Sequence, residues 1–292
     1  MADSSEIPST ESNSSSSPIP VISLSAFASP EKFTDEDRAC AANALVEACR
    51  TVGFVYLTDH GVPKDAVSRA FEQAKQFFDL SQEMKALAPH PDGWAVHRGY
   101  SRPGLEKVSN AIAGPNIEQQ ENNHDCSRKD GIDVLGKTSG HNNQLRLLHY
   151  PAVGVEILKE RLMERMPAHT DWSIITLLFQ DAVGGLQVEK PGVPGEYIDV
   201  TPLSKAMGDV CELNVEDLMA RWSGVGVPRS GSGEKQNELL EDQYSVVYFV
   251  STDPDIVIET LGTKGNISRG EIKEYEPITQ REYAAMRARM QY

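Results

Sequence analysis

The chain has 292 residues and a formal net charge of −15 at pH 7, which argues against nucleic acid or an anionic membrane surface as a partner, because both reward Lys and Arg. Its four cysteines, Cys40, Cys49, Cys126 and Cys211, are scattered with no Cys-x-x-Cys, so they read as free thiols of a reducing compartment, not as a disulfide framework or zinc site. No apolar run is long enough to span a bilayer and no secretory start is visible, so a cytoplasmic location and a monomer are expected.

Residues 1–18 are mostly Ser, Glu, Pro and Asn and are expected to form a disordered tail. Ile19 to Leu24 alternates as a strand. Thr34-Asp35-Glu36-Asp37 caps a helix on which Ala41, Leu45, Ala48 and Cys49 fall at helical spacing. Gly53 to Leu57 reads as a second strand, stopped by Asp59-His60-Gly61-Val62-Pro63. A further amphipathic helix carries Val67, Phe71, Phe77 and Phe78 and ends near Ser81 to Lys85. Residues 110–144 are rich in Asn, Gln, Gly, Asp and Lys without a persistent period, so they read as a loop of suspicious length.

From Leu145 the pattern becomes all-β. Short strands are expected at Leu145–Tyr150, Ile174–Phe179, Gly185–Val188, Tyr197–Val200, Val210–Val215, Tyr244–Val250 and Ile256–Glu259, a spacing that suits a sandwich or jelly roll. Gly270 to Met290 is expected to close the chain as a helix with Tyr283, Met286, Arg287 and Met290 along one side.

The chemistry concentrates in Pro167-Ala168-His169-Thr170-Asp171-Trp172-Ser173, which enters a β-branched, apolar run. Side chains at i and i+2 of a strand share a face, so His169 and Asp171 can reach one ion together. One imidazole and one carboxylate are two members of the 2-His-1-carboxylate set that holds non-haem Fe(II) with positions left open. No histidine follows His169. Among the others, His60 sits in a turn and reads as structural, and His149 faces away if its neighbour Tyr150 faces the site. His97 is the best candidate for a rescuing ligand, ahead of His90, His124 and His141.

These phrases, with Gly184-Gly185-Leu186-Gln187-Val188 after them, resemble the isopenicillin N synthase-like branch of the Fe(II)/2-oxoglutarate-dependent dioxygenases. The strand, helix, strand, His-Gly-Val-Pro, helix order near the start is similar to the same branch. Arg98-Gly99-Tyr100-Ser101-Arg102-Pro103 and Leu145-Arg146-Leu147-Leu148-His149-Tyr150-Pro151 most resemble its fungal thymine 7-hydroxylase group. The resemblance implies a mainly β fold with flanking helices, a double-stranded β-helix, with an N-terminal α/β region at 19–109 and the jelly roll at 145–292. It implies Fe(II), 2-oxoglutarate, O2 and a small organic substrate to be hydroxylated or desaturated.

The resemblance also shows what is missing. Family members place a distal histidine in a Ser-Thr-x-His-Arg-Val phrase shortly after Asn-x-Gly-Asp-Leu-x-x-Arg-Trp-Ser. Here Asn214 to Ser223 matches that lead-in, with Glu216 for Gly and Arg221 kept, and then runs directly into Gly224-Val225-Gly226-Val227. The family's late-strand Arg-x-Ser, which binds the far carboxylate of 2-oxoglutarate, reads Gln243-Tyr244-Ser245, a neutral side chain in place of a cation. Tyr150 matches the tyrosine that contacts the same cosubstrate. The metal set is therefore His169 and Asp171 with the distal histidine absent, and the cosubstrate set is Tyr150, Gln243 and Ser245. An active oxygenase, a non-catalytic relative that binds a small ligand or protein, and a shortened product of an active enzyme are the three readings. The resemblance further implies that 110–144 is a shortened connection, since family members carry a much longer segment there with a long helix that supports the barrel. Two clean excisions amid well-kept phrases, that block and the distal histidine phrase, favour the last reading, since slow drift would blur the phrases too.

Overall fold

Thr34 begins the first long helix as a reciprocal cap: its hydroxyl accepts the Asp37 amide at 3.2 Å while the Asp37 carboxylate accepts the Thr34 amide at 2.8 Å, an arrangement that stabilises a helix start by about 1 kcal/mol. The computed structural model describes residues 19–89, 99–103, 130–133, 143–154, 165–202, 211–215, 223–225, 239–258 and 276–291. After strand β1 (Val21–Ser23) and the single turn α1 (Ser25–Ala28), helix α2 runs over Asp35–Thr51. Strand β2 (Phe54–Thr58), helix α3 (Lys64–Phe78) and the short helix α4 (Gln82–Lys85) follow. The single helix expected to reach Lys85 is thus two, because Ser81 caps a fresh start by accepting the Met84 amide.

The remaining described elements are nearly all strands. They are β3 (Gly99–Ser101), β4 (Asp130–Asp133), β5 (Gln144–Tyr150), β6 (Val153–Gly154), β7 (Met166–His169) and β8 (Ile175–Gln180). Then come β9 (Leu186–Glu189), β10 (Tyr197–Asp199), β11 (Cys211–Val215), β12 (Ser223–Val225), β13 (Leu239–Leu240) and β14 (Gln243–Val250). The hairpin β15 (Val257–Ile258) with β16 (Ile278–Thr279) leads into a C-terminal helix, Gln280–Gln291. That helix starts ten residues later than its sequence suggests, since Ile278–Thr279 pairs with Val257–Ile258 as a strand. Strand β4 falls within the stretch read as a loop, where its backbone pairs with both β3 and β5.

Two sheets face each other. The larger has the order β1-β2-β11-β8-β14-β5-β4-β3 and the smaller β10-β9-β12-β7. Alternation along the large sheet sends Val55, Leu57, Leu147, Phe179 and Val246 to one side, where Val67, Phe71, Ala74 and Phe78 of α3 and Ala48 and Cys49 of α2 cover them. The opposite side carries Phe54 and Tyr56, packed on Leu186 and Val188 of β9, and Leu148, Tyr150 and Val247, packed on Met166 of β7. Helices outside, sheet on sheet inside: this is the double-stranded β-helix expected from the sequence. β1 and β2 belong to the same large sheet as the later strands, so the N-terminal elements are part of its hydrogen-bonded ladder.

Candidate active site

His169 ends β7 at the edge of the small sheet, and β8 opens in the large sheet only at Ile175. The His-x-Asp phrase therefore turns a corner between sheets and does not continue into the apolar run as one strand. Asp171 lies past the end of β7, which corrects the expectation that both ligands occupy one strand. Pro167, which cannot donate to a ladder, is tolerated because β7 is an edge.

The two side chains still converge. Asp171 Oδ1 lies 3.5 Å from His169 Nε2, and both are mostly shielded from solvent. Two atoms each about 2.1 Å from one ion and at right angles stand about 3 Å apart, so the pair is set for adjacent positions on one metal. Thr176, on the inner face of β8, donates to Asp171 Oδ2 at 2.6 Å and is itself linked to Ser173 at 2.8 Å. One carboxylate oxygen is thus anchored to the large sheet while the other faces the imidazole. The C-terminal helix brackets the same corner: Arg287 donates to the Thr170 carbonyl at 3.3 Å and stacks 5.5 Å from the Trp172 ring.

The large sheet brings the three cosubstrate candidates together through its register. Gln243 pairs with Tyr150 and Ser245 with Leu148, which places Gln243, Ser245 and Tyr150 on the inner face. All three are buried, Gln243 with 2 % of its surface exposed. Tyr150 and the Ser245 side chain share a hydrogen bond. Burial pushes the Tyr150 hydroxyl up to about 12; Ser245, Arg146 and Arg165 pull it down, and the Asp171 charge adds to the rise. Tyr150 therefore stays protonated and stands within electrostatic reach of both the arginines and the candidate metal ligand.

Arg165 was not foreseen. It is the residue just before β7, only 1 % exposed, and its Nη1 donates to Gln243 Oε1 at 3.1 Å. Its Nη2 donates to the carbonyls of Pro151 at 3.2 Å and Glu241 at 2.5 Å. A guanidinium thus lies against the neutral Gln243 side chain. Neither periodicity nor a motif marks Arg165 in Glu164-Arg165-Met166; its role is visible only once Gln243 is seen beside it. Thr176 was likewise missed, although it sits in the Thr-Leu-Leu phrase.

The other histidines fall as expected where they are described. His149 is on the helix side of the sheet, stacked on Tyr244 at 4.7 Å and 2.8 Å from Asp242 Oδ1. His60 accepts the Val62 amide at 3.2 Å and meets the Phe179 ring edge-on at 5.5 Å. His90, His97, His124, His141, Glu216 and Arg221 lie outside the described residues.

Residues 19–145 match the family described as non-haem dioxygenase in morphine synthesis N-terminal, and residues 141–251 match the 2OG-Fe(II) oxygenase superfamily. The proline hydroxylase buaE of Petromyces alliaceus is 30% identical over 305 residues, covering 85% of this chain and 92% of that protein. The chain belongs to the 2OG-Fe(II) oxygenases. It is a 2-oxoglutarate-dependent dioxygenase, and enzymes of this family use Fe(II) and 2-oxoglutarate to oxidise small molecules. The thymine 7-hydroxylase of Neurospora crassa, solved with alpha-KG and thymine, superposes with a TM-score of 0.74 at 26% identity over 93% of this chain and 96% of that one. A 2OG-Fe(II) oxygenase family protein from Caulobacter crescentus shares the fold, with a TM-score of 0.65 at 20% identity over 94% of this chain and 99% of that one.

The buaE alignment runs to 305 positions while using only 85% of a 292-residue chain. This oxygenase therefore lacks internal residues that its relative has. Among the described residues no group of three His, Cys, Asp or Glu could hold a metal ion. The strand laid against β7 is β12, in which Ser223 pairs directly with His169 and Val225 with Met166. Two steps on β12 thus span three on β7, an irregularity in the ladder that takes up one residue of register. Among the described residues, His169 and Asp171 fit two positions on Fe(II), with Ser223 at the register position opposite the histidine.

Proposed function

We propose that His169 and Asp171 are the protein ligands of Fe(II) in this chain, and that Tyr150, Ser245 and Gln243 line the place of 2-oxoglutarate. The observation that carries this reading is the 3.5 Å approach of His169 Nε2 and Asp171 Oδ1 at the corner of the two sheets. Fe(II) held there would supply the oxidising chemistry, in which O2 gives one oxygen atom to 2-oxoglutarate, releasing succinate and CO2, and the other to oxidation of a substrate C–H bond. The protein's share is geometric. Thr176 fixes the carboxylate, Arg287 fixes the turn that carries it, and the neutral Tyr150 hydroxyl offers a hydrogen bond without a competing charge.

With one imidazole and one carboxylate as the ligands among the described residues, weak Fe(II) binding and slow turnover are expected. The substrate is a small organic molecule. The relatives named for thymine and proline support that class, and hydroxylation is the favoured outcome. A monomer located in the cytoplasm completes the proposal; among the described residues no helix is long and apolar enough to cross a membrane.

The test is succinate formation from 2-oxoglutarate under air with added Fe(II), comparing the chain with His169→Ala and Asp171→Ala. Slow succinate release that falls to the protein-free level in both variants is expected. Equal rates in all three would remove the pair from the metal.

A further inference from the structure

The C-terminal helix starts firmly and is packed lightly thereafter. The Thr279 hydroxyl accepts the Glu282 amide at 3.2 Å while the Glu282 carboxylate accepts the Thr279 amide at 3.0 Å, the same reciprocal cap that opens α2. The first turn is tied to the chain between β14 and β15. The amides of Gln280 and Arg281 donate to the carbonyls of Ile256 and Pro254, each at 2.9 Å, and the Arg281 guanidinium meets Asp255 at 2.9 Å. Beyond that turn apolar packing is thin. Among the described residues the three apolar clusters of the core take no side chain from this helix, and Gln280 is its one buried residue.

Arg287 lies about two turns further on. Its guanidinium donates to the Thr170 carbonyl at 3.3 Å and stacks over the Trp172 ring at 5.5 Å, a geometry that a planar cation favours. Thr170 and Trp172 flank Asp171, so one side chain grips the backbone before the carboxylate and the ring after it. Tyr283, one turn back on the helix, accepts from Arg287 Nη1 at 3.5 Å and narrows the choice of arginine rotamers. The corner needs such a hold. Thr170 to Ser173 lie outside both ladders, and pairing resumes only where the Ile174 amide donates to the Val250 carbonyl at 3.0 Å. Thr176 anchors the Asp171 carboxylate from the large sheet; Arg287 anchors the chain that carries it.

We propose that Arg287 is a positioning residue for the metal pair: by gripping Thr170 and Trp172 it sets Asp171 against His169, so that docking of the C-terminal helix and metal binding favour one another. The inference rests on the reading of His169 and Asp171 as metal ligands and adds a control of that site from outside the two sheets. Coupling of this kind is reciprocal: what the docked helix adds to metal affinity, the bound metal returns to helix docking. Few buried apolar contacts leave the later turns of the helix prone to local opening, and these are the turns that a bound metal steadies.

The experiment uses the full chain and cobalt(II), whose visible absorption reports occupancy of the pair without turnover. Arg287→Ala is expected to bind cobalt(II) about 10-fold more weakly than the unaltered chain, the low end for loss of a group that orients a metal ligand. Arg287→Lys, which keeps the cation without the planar fork, should recover part of that loss. Saturating cobalt(II) should slow amide hydrogen exchange over residues 283–291 several-fold in the unaltered chain, and the protection should vanish in Arg287→Ala. The exchange measurement on the unaltered chain needs no variant and decides the matter should Arg287→Ala fail to fold. Unchanged cobalt(II) affinity in Arg287→Ala, or helix exchange indifferent to cobalt(II), would overturn the inference and leave the metal pair standing as long as Asp171→Ala weakens binding. Equal binding by the unaltered chain and Asp171→Ala would remove the metal reading and this inference with it.

Discussion

At the scale of single residues, Tyr150 shows which influence wins inside the jelly roll. Loss of solvent raises its hydroxyl to about 12, although Ser245 and two guanidinium charges all favour the ionised form. Burial outweighs them because a phenolate between two packed sheets loses its hydration. The sign for stability follows. An unfolded tyrosine ionises near the ordinary value of 10, the folded one only near 12, so the unfolded chain is favoured progressively as pH rises through that window. Between pH 8 and 11 the loss from this one group is about 1.4 kcal/mol. Urea unfolding should show the Tyr150→Phe variant losing less stability over that interval by about this amount. Parallel pH profiles for the two proteins would mean that the hydroxyl meets solvent.

At the scale of elements, backbone constraints separate positions that sequence alone treats alike. Gly99 opens β3 with φ +81, and a Cβ there would stand 2.3 Å from the Pro89 carbonyl oxygen. Gly192, in the turn between β9 and β10, has φ +75 with nothing within 4 Å of a Cβ. Gly192→Ala should therefore lose only the conformational cost, about 1 kcal/mol. Gly99→Ala adds a backbone clash and should lose at least about 2 kcal/mol. Chemical denaturation of both variants checks the difference, and equal losses would mean that β3 can shift away from Pro89.

The elements that could be read from the sequence are those whose own residues carry the pattern. Helix α3 declares itself by Val67, Phe71, Phe77 and Phe78, and β5, β8 and β14 by long apolar or alternating runs. Strand β7 does not: Met166-Pro167-Ala168-His169 has no alternation and contains a proline, and it is a strand because β12 pairs with it. Strand β4, with Gly131 between acidic ends, is likewise defined by its neighbours. Of the candidate site, His169, Asp171, Tyr150, Gln243 and Ser245 were legible as phrases. The burial of Arg165 against Gln243 was not, because a single arginine ahead of a strand leaves no periodic trace.

At the scale of the molecule, the two sheets divide the work. The small sheet carries His169 at the end of its edge strand, and the large sheet carries Tyr150, Gln243, Ser245 and the Thr176 anchor of Asp171. Ser223 occupies the position opposite His169, next to β9 on its other side. Directly paired positions of an antiparallel ladder set their Cβ atoms about 5 Å apart. Ser223→His is thus a substitution that would bring a second imidazole beside His169. The central proposal is that His169 and Asp171 are the Fe(II) ligands among the described residues. Anaerobic titration with Fe(II) in the presence of 2-oxoglutarate, followed by the visible metal-to-ligand charge-transfer absorption, tests it most directly. The account predicts that Ser223→His binds Fe(II) about 10- to 100-fold more tightly than the unaltered chain. Tight binding by the unaltered chain, undiminished in Asp171→Ala, would contradict it.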